Sequence, residues 1–198
     1  MMTKRLALIV SMIFIAAVAL GACATTGKPT AANFKAPKVT LVSFEVPQYD
    51  EYWYFAASVK PTKGKAGDRG AFLPMSFLFD VGNPNDFPVL LEGITYTVAF
   101  DKDFEVITTN INDSYWIPAN KTSQVRVSTL VTVRSALTGL LLANAPALKQ
   151  RGWDAWGTLE KWWTGVPDLS VPVTVKNAAF TFKADGLIKV VPFEATVP

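Results

Sequence analysis

Histidine is absent from the 198-residue chain. That excludes Ser-His-Asp and Cys-His catalysis and His-based zinc sites, because the commonest general base and metal ligand is missing. Cysteine occurs once, as Cys23, so the chain cannot form an internal disulfide. Charge is sparse: Asp, Glu, Lys and Arg make up 18% of residues, against 50% apolar. The formal charge of +3 includes Lys4 and Arg5, which lie in an amino-terminal segment expected to be removed. The remainder is close to neutral. It lacks the basic footprint that nucleic-acid binding requires, so no nucleic-acid partner is expected.

The amino terminus carries the sharpest pattern. Met1 to Arg5 is short and basic, and Leu6 to Leu20 is uncharged and mostly apolar. This run is short for a membrane-spanning helix, which needs about 20 apolar residues. A basic start, a short apolar run and small residues at its end describe a secretory signal. The stretch Leu20-Gly21-Ala22-Cys23 resembles the lipobox of bacterial lipoproteins. The resemblance implies cleavage before Cys23, diacylglycerol on its sulfur and acylation of the new amino group. Several acyl chains on one residue give stable anchoring, where a single chain gives marginal binding. Residues 1–22 are then a lipoprotein signal peptide. Ala24 in place of Asp implies, by Gram-negative sorting rules, an outer-membrane location facing the periplasm. Ala24 to Pro37 holds Thr, Gly and Pro with few apolar residues, so 23–37 is expected to be a flexible tether.

From Lys38 onward the pattern is mainly of period two. Leu73, Met75, Phe77, Phe79 and Val81 share one face of a predicted strand. Ile94, Tyr96, Val98 and Phe100 do the same in a second, and Val125 to Arg134 is the cleanest alternation. The period changes at Ser135, a predicted helix N-cap. Leu137, Leu140, Leu141 and Leu148 fall at helical spacing, Gly152 interrupts, and Trp153, Trp156, Leu159 and Trp163 recur at threes and fours. Strands return at Val171, and Ala184-Asp185-Gly186 predicts a hairpin. The fold class is therefore all-β: an antiparallel sandwich over 38–198 with one helical insertion at about 135–165. Parallel α/β is disfavoured, because helices do not alternate with the strands.

The stretch Asp80 to Pro88 joins two of these strands. Pro84 fixes its own φ and keeps Asn83 extended, and Asn85 and Asp86 suit turn geometry. This Asn-Pro-Asn turn between strands, the polar turn Ile117 to Thr122 before a Val-rich strand, the helical segment after it and the closing Val190 to Glu194 together resemble the LEA type 2 family, also called the water stress and hypersensitive response (WHy) domain. The resemblance covers about Val39 to Val197. It implies an immunoglobulin- or fibronectin III-like sandwich, a role in desiccation or stress tolerance, lipid handling in some members, and no catalytic residues. The chain departs from the family in a longer insert at 47–71 and a longer helical segment with four tryptophans.

Candidate functional residues are few. Asp80, Asp86, Glu92, Asp101, Asp103 and Glu105 could work in pairs, but no spacing singles out a pair. No enzyme activity, cofactor or metal is expected, and Asp101-Lys102-Asp103 is expected to be a turn. Asn83, Pro84 and Asn85 are expected to be structural. Trp153, Trp156, Trp162 and Trp163, with Tyr52, Trp53 and Tyr54, form the candidate surface for lipid or a protein partner. Trp favours boundaries between apolar and wet regions, and Lys149, Arg151 and Lys161 would suit anionic head groups. On one face Trp153, Trp156 and Trp163 would otherwise simply cap the open end of the sandwich. Two functions follow as expectations: a stress-protective or structural envelope lipoprotein that contacts envelope proteins, or a module that binds or transfers lipid or another hydrophobic ligand.

Overall fold

A computed structural model describes residues 27–47 and 72–197. Cys23, Tyr52, Trp53 and Tyr54 lie outside the described residues. Eight strands form two antiparallel sheets. Sheet A holds β1 (Lys38–Glu45), β2 (Phe72–Gly82) and β6 (Thr122–Thr132) in the order β1-β2-β6. Sheet B holds β4 (Phe104–Ile111), β3 (Val89–Phe100), β7 (Val173–Ala184) and β8 (Leu187–Val197), in that order. The short β5 (Tyr115–Ile117) pairs with the first residues of β3, beyond the end of β4. The two sheets pack as a sandwich, as the alternation predicts.

The core lies where the inward faces meet. Leu73, Met75, Phe77, Phe79 and Val81 of β2 are all fully buried. Phe77 meets Tyr96 of the opposite sheet edge-on at 5.8 Å, and Phe79 meets Phe180 at 5.2 Å. Edge-to-face pairs of this kind add about 1 kcal/mol each beyond their area burial. In β3 the inward set changes phase. A bulge opposite β7 at Glu92, between Leu91 and Gly93, lets Val89 and Leu91 face the core ahead of Ile94 and Tyr96. An extra residue of this kind resets which side chains face inward. The Asp185-Gly186 hairpin forms as expected, with both residues at positive φ (45° and 81°), as a two-residue primed turn requires.

The helical insertion differs from the expectation in three respects. It comprises three helices: α1 (Val133–Leu141), α2 (Ala145–Gln150) and α3 (Ala155–Gly165). Helix α1 begins at Val133, two residues before the expected start. Thr132 is the N-cap, and Ser135 is its partner in a capping box, the Ser135 N–H donating to Thr132 Oγ1 at 3.1 Å. The reciprocal arrangement satisfies two backbone donors at once, which explains why the strand alternation stops short of Val133. Finally, residues 135–150 do not form one helix. Pro146 sits in the first turn of α2; inside a continuous helix its ring would clash with the carbonyl of Leu142.

The expected tether also needs correction at its carboxyl end. Phe34 is buried, meets the Phe87 ring at 6.1 Å and lies under Lys189. A local turn precedes it, with the Thr30 N–H bonding Asn33 Oδ1 at 2.7 Å. Burial of Phe34 and the bonds from Asn85 to the Lys35 backbone dock this segment on the sandwich.

Candidate functional site

The sandwich has two ends, separated by the length of its strands. Strand β2 has 11 residues, so the ends lie roughly 35 Å apart at about 3.3 Å per residue. One end carries the chain crossings between sheets and is called the turn end. The other carries the helices.

At the turn end, β2 leaves sheet A for β3 of sheet B through Asn83 to Pro88. The connection from β5 to β6 returns beside it. Asn83 and Asn85 are both buried. The Asn83 amide Nδ2 donates to the carbonyls of Phe87 (2.9 Å), Ile117 (3.1 Å) and Pro118 (3.1 Å). Its Oδ1 accepts from the Asn85 N–H (3.0 Å) and Asn85 Nδ2 (2.8 Å). Asn85 then clasps Lys35: Oδ1 accepts from its N–H at 2.7 Å, and Nδ2 donates to its carbonyl at 2.9 Å. Backbone bonds from Asn83 N–H to the Lys121 carbonyl and from Asn120 N–H to the Asn85 carbonyl close the junction. These two side chains therefore tie three separate segments together. The arrangement accounts for the motif through backbone satisfaction rather than chemistry on a substrate.

At the helical end, the Asp101-Lys102-Asp103 turn receives the insertion. Asp101 Oδ1 pairs with Lys161 Nζ at 2.6 Å, and its Oδ2 accepts from Trp162 Nε1 at 2.8 Å. Asp103 pairs with Arg151 at 2.6 Å. The turn carboxylates are used to dock α2 and α3, and no group of three metal-ligating side chains occurs among the described residues. Trp162 is fully buried, edge-on to Phe100 (5.2 Å) and Phe104 (5.6 Å). Trp163 is fully buried as well. Trp153 precedes α3 and stacks on Phe104 at 5.6 Å and 13°. Arg151 and Lys161 both lie over the Trp153 ring, at 5.1 and 4.5 Å.

This geometry corrects the expected aromatic surface. Trp153, Trp156 and Trp163 do not form one exposed surface. Thr158, Leu159, Trp162 and Trp163 of α3 are buried, whereas Trp156, two turns before Trp163 on the same side of the helix, lies in the first turn and is 44% exposed. The spacing of threes and fours was real, but it joined Trp153, which lies outside the helix, to residues within it. Arg151 and Lys161, expected to face head groups, are held by carboxylates and by a tryptophan ring.

A different tryptophan is the most exposed among the described residues. Trp116 of β5 is 65% exposed. Its neighbours Tyr115 and Ile117 point inward, so the alternation drives it out. Register places Trp116, Leu90, Lys183 and Ile188 on one row across sheet B. Ile188 and Val190 of β8 are 59% and 57% exposed. The sequence sign was a tryptophan inside the polar stretch Asn112 to Thr122, which serves no core pattern there.

The fold and these two ends define a non-parallel, two-sheet sandwich closed at one end by helices. No protein-family model matches the chain, and no curated protein sequence matches it. Among solved structures, one neighbour is provisionally described as a late embryogenesis abundant (LEA) protein. It is 12% identical, with a TM-score of 0.41 over 98% of this chain and 87% of its own. A protein from Archaeoglobus fulgidus is 12% identical, with a TM-score of 0.40 over 82% of this chain and 92% of its own. A protein from Bordetella pertussis, provisionally described as ApaA, is 7% identical, with a TM-score of 0.42 over 82% and 92%. At these scores none carries an argument about this chain, and the fold rests on its own geometry.

Proposed function

We propose that the protein is a non-catalytic lipoprotein of the cell envelope, held to a membrane through acylated Cys23, with a LEA type 2-like sandwich that serves stress or desiccation protection or envelope structure. In a cell with two membranes the proposed location is the outer membrane, facing the periplasm. The observation that carries the reading is Leu20-Gly21-Ala22-Cys23 at the end of a short apolar run. The Asn83-Pro84-Asn85 junction supports the family resemblance, since its side chains bond the segments that the family motif sets side by side. Cys23→Ala should abolish incorporation of labelled palmitate. Continued labelling would remove the lipoprotein assignment. Loss of viability after drying in cells lacking the chain, restored by the wild type, is the expected physiological result.

The competing reading is a module that binds or transfers lipid or another hydrophobic ligand. It needs an apolar cavity walled by the helical insertion. The complete burial of Trp162 and Trp163 and the pairing of Arg151 and Lys161 favour the first reading. The chain from residue 27 onward, which keeps Phe34 and Lys35 in place, should emerge from native mass spectrometry without bound lipid. A stoichiometric lipid adduct would reverse the preference.

A further inference from the structure

We infer that the turn end is itself a membrane-contact surface: Trp116, Ile188 and Val190 seat at the lipid boundary, and Lys35, Lys38 and Lys121 meet anionic head groups. The inference extends the proposed anchoring and rests partly on it.

The first support is where the chain enters the fold. The segment from Lys28 to Lys38 lies across the turn end, fixed by the burial of Phe34, by Asn85 and by an ion pair from Lys28 to Asp185 at 4.0 Å. Only three residues separate Gly27 from Cys23, and the four steps between them reach about 14 Å when fully extended. An acyl group on Cys23 would therefore hold the turn end against the bilayer and point the helical end away. The membrane-facing surface is then the turn end rather than the tryptophan-rich insertion.

The second support is independent of the anchor. Lys35, Lys38 and Lys121 surround the asparagine junction: Lys35 is clasped by Asn85, Lys38 pairs with Gly82, and the Lys121 carbonyl accepts from the Asn83 N–H. All three are exposed, and none has a carboxylate partner among the described residues. Asp86 and Asp113 are the exposed acidic groups nearby, while Asp185 and Glu92 are engaged by Lys28 and Lys183. Trp116 stands at the same corner, because the Ile117 carbonyl beside it accepts from Asn83. An exposed tryptophan, exposed Ile188 and Val190 three strands away on the same sheet, and free lysines suit the head-group boundary, where the ring sits amphipathically and long basic chains reach phosphate. The helical end also exposes Trp156, Leu141 and Leu142, but the anchor would point it away from the bilayer, and its Arg151 and Lys161 are already paired.

The test uses the mature chain 23–198 carrying Cys23→Ser, so that acylation cannot contribute. It should co-sediment with vesicles of phosphatidylethanolamine and phosphatidylglycerol, and weakly or not at all with phosphatidylcholine. Trp116→Ala should weaken binding several-fold. Each of Lys35→Glu and Lys121→Glu should weaken it at least about fivefold, the worth of one lysine near an anionic surface. Trp156→Ala should leave it unchanged, and matching thermal unfolding of all variants keeps folding out of the comparison. Absence of binding, or binding indifferent to Trp116 and both lysines, overturns the inference. Palmitate labelling of wild-type Cys23 reads the anchor separately: labelling without vesicle binding removes the surface and keeps the anchor, and vesicle binding without labelling does the reverse.

Discussion

At the turn end, two asparagine side chains hold strand crossings together by bonding backbone; at the helical end, two tryptophans fill the opening and one carboxylate satisfies the indole of Trp162. Both ends exclude water from the same core, but by different physics. The asparagine junction is directional, because each amide atom has a named partner at hydrogen-bond distance. The tryptophan plug is mainly a matter of volume and apolar area, with Asp101 supplying the polar correction. The difference teaches that an Asn-rich turn and a Trp-rich helix can be equally structural. Richness in an unusual residue marks a function only where that residue is left exposed.

Substitutions can break this comparison at either end. Trp162→Ala should have the largest effect, a destabilisation of about 4 kcal/mol in urea unfolding, because it leaves a large cavity and strands Asp101. A change well below 2 kcal/mol would mean that the helices do not close the core. Asn83→Asp should cost about 3 kcal/mol, measured in the same way. A carboxylate there would face three carbonyl oxygens with no proton to offer, and buried unmatched groups are expensive. If Asn83→Asp folds as stably as wild type, the junction is not directional.

Tyr96→Phe should have the smallest effect and the opposite sign. The Tyr96 hydroxyl is buried with no hydrogen-bond partner among the described residues, so its removal should be neutral or stabilising by about 1 kcal/mol. Burial holds this hydroxyl above its ordinary range near 10. The folded state therefore keeps a proton that the unfolded state releases. Stability is fully present below pH 10 and falls as pH rises beyond it. Tyr96→Phe should flatten that alkaline decline, and an unchanged profile would assign it to other groups.

Much of the sandwich could be read from residues alone. The run from Leu73 to Val81 showed its inward face by alternation, and Asp185-Gly186 announced its hairpin, because period-two burial and positive φ are local properties. The helical insertion was legible as a helical region but not in its parts. Pro146 and the Thr132 cap act through backbone geometry that apolar spacing does not register. The expected aromatic site fared less well. Trp156 and Trp163 share a side of one helix, but only Trp163 is covered by the core, and the exposure of Trp116 follows no helical period.

Composition settled what the chain lacks: without histidine or a second cysteine, whole classes of chemistry were closed before any fold was known. The strand periods and turn residues settled which segments pair as sheet, since those preferences are written into neighbouring side chains. Which tryptophan meets solvent, which lysines keep a free charge and at which end the chain enters were set by the packing of the two sheets. These depend on contacts between residues tens of positions apart, such as Lys35 with Asn85 or Asp101 with Trp162, and no local pattern encodes them.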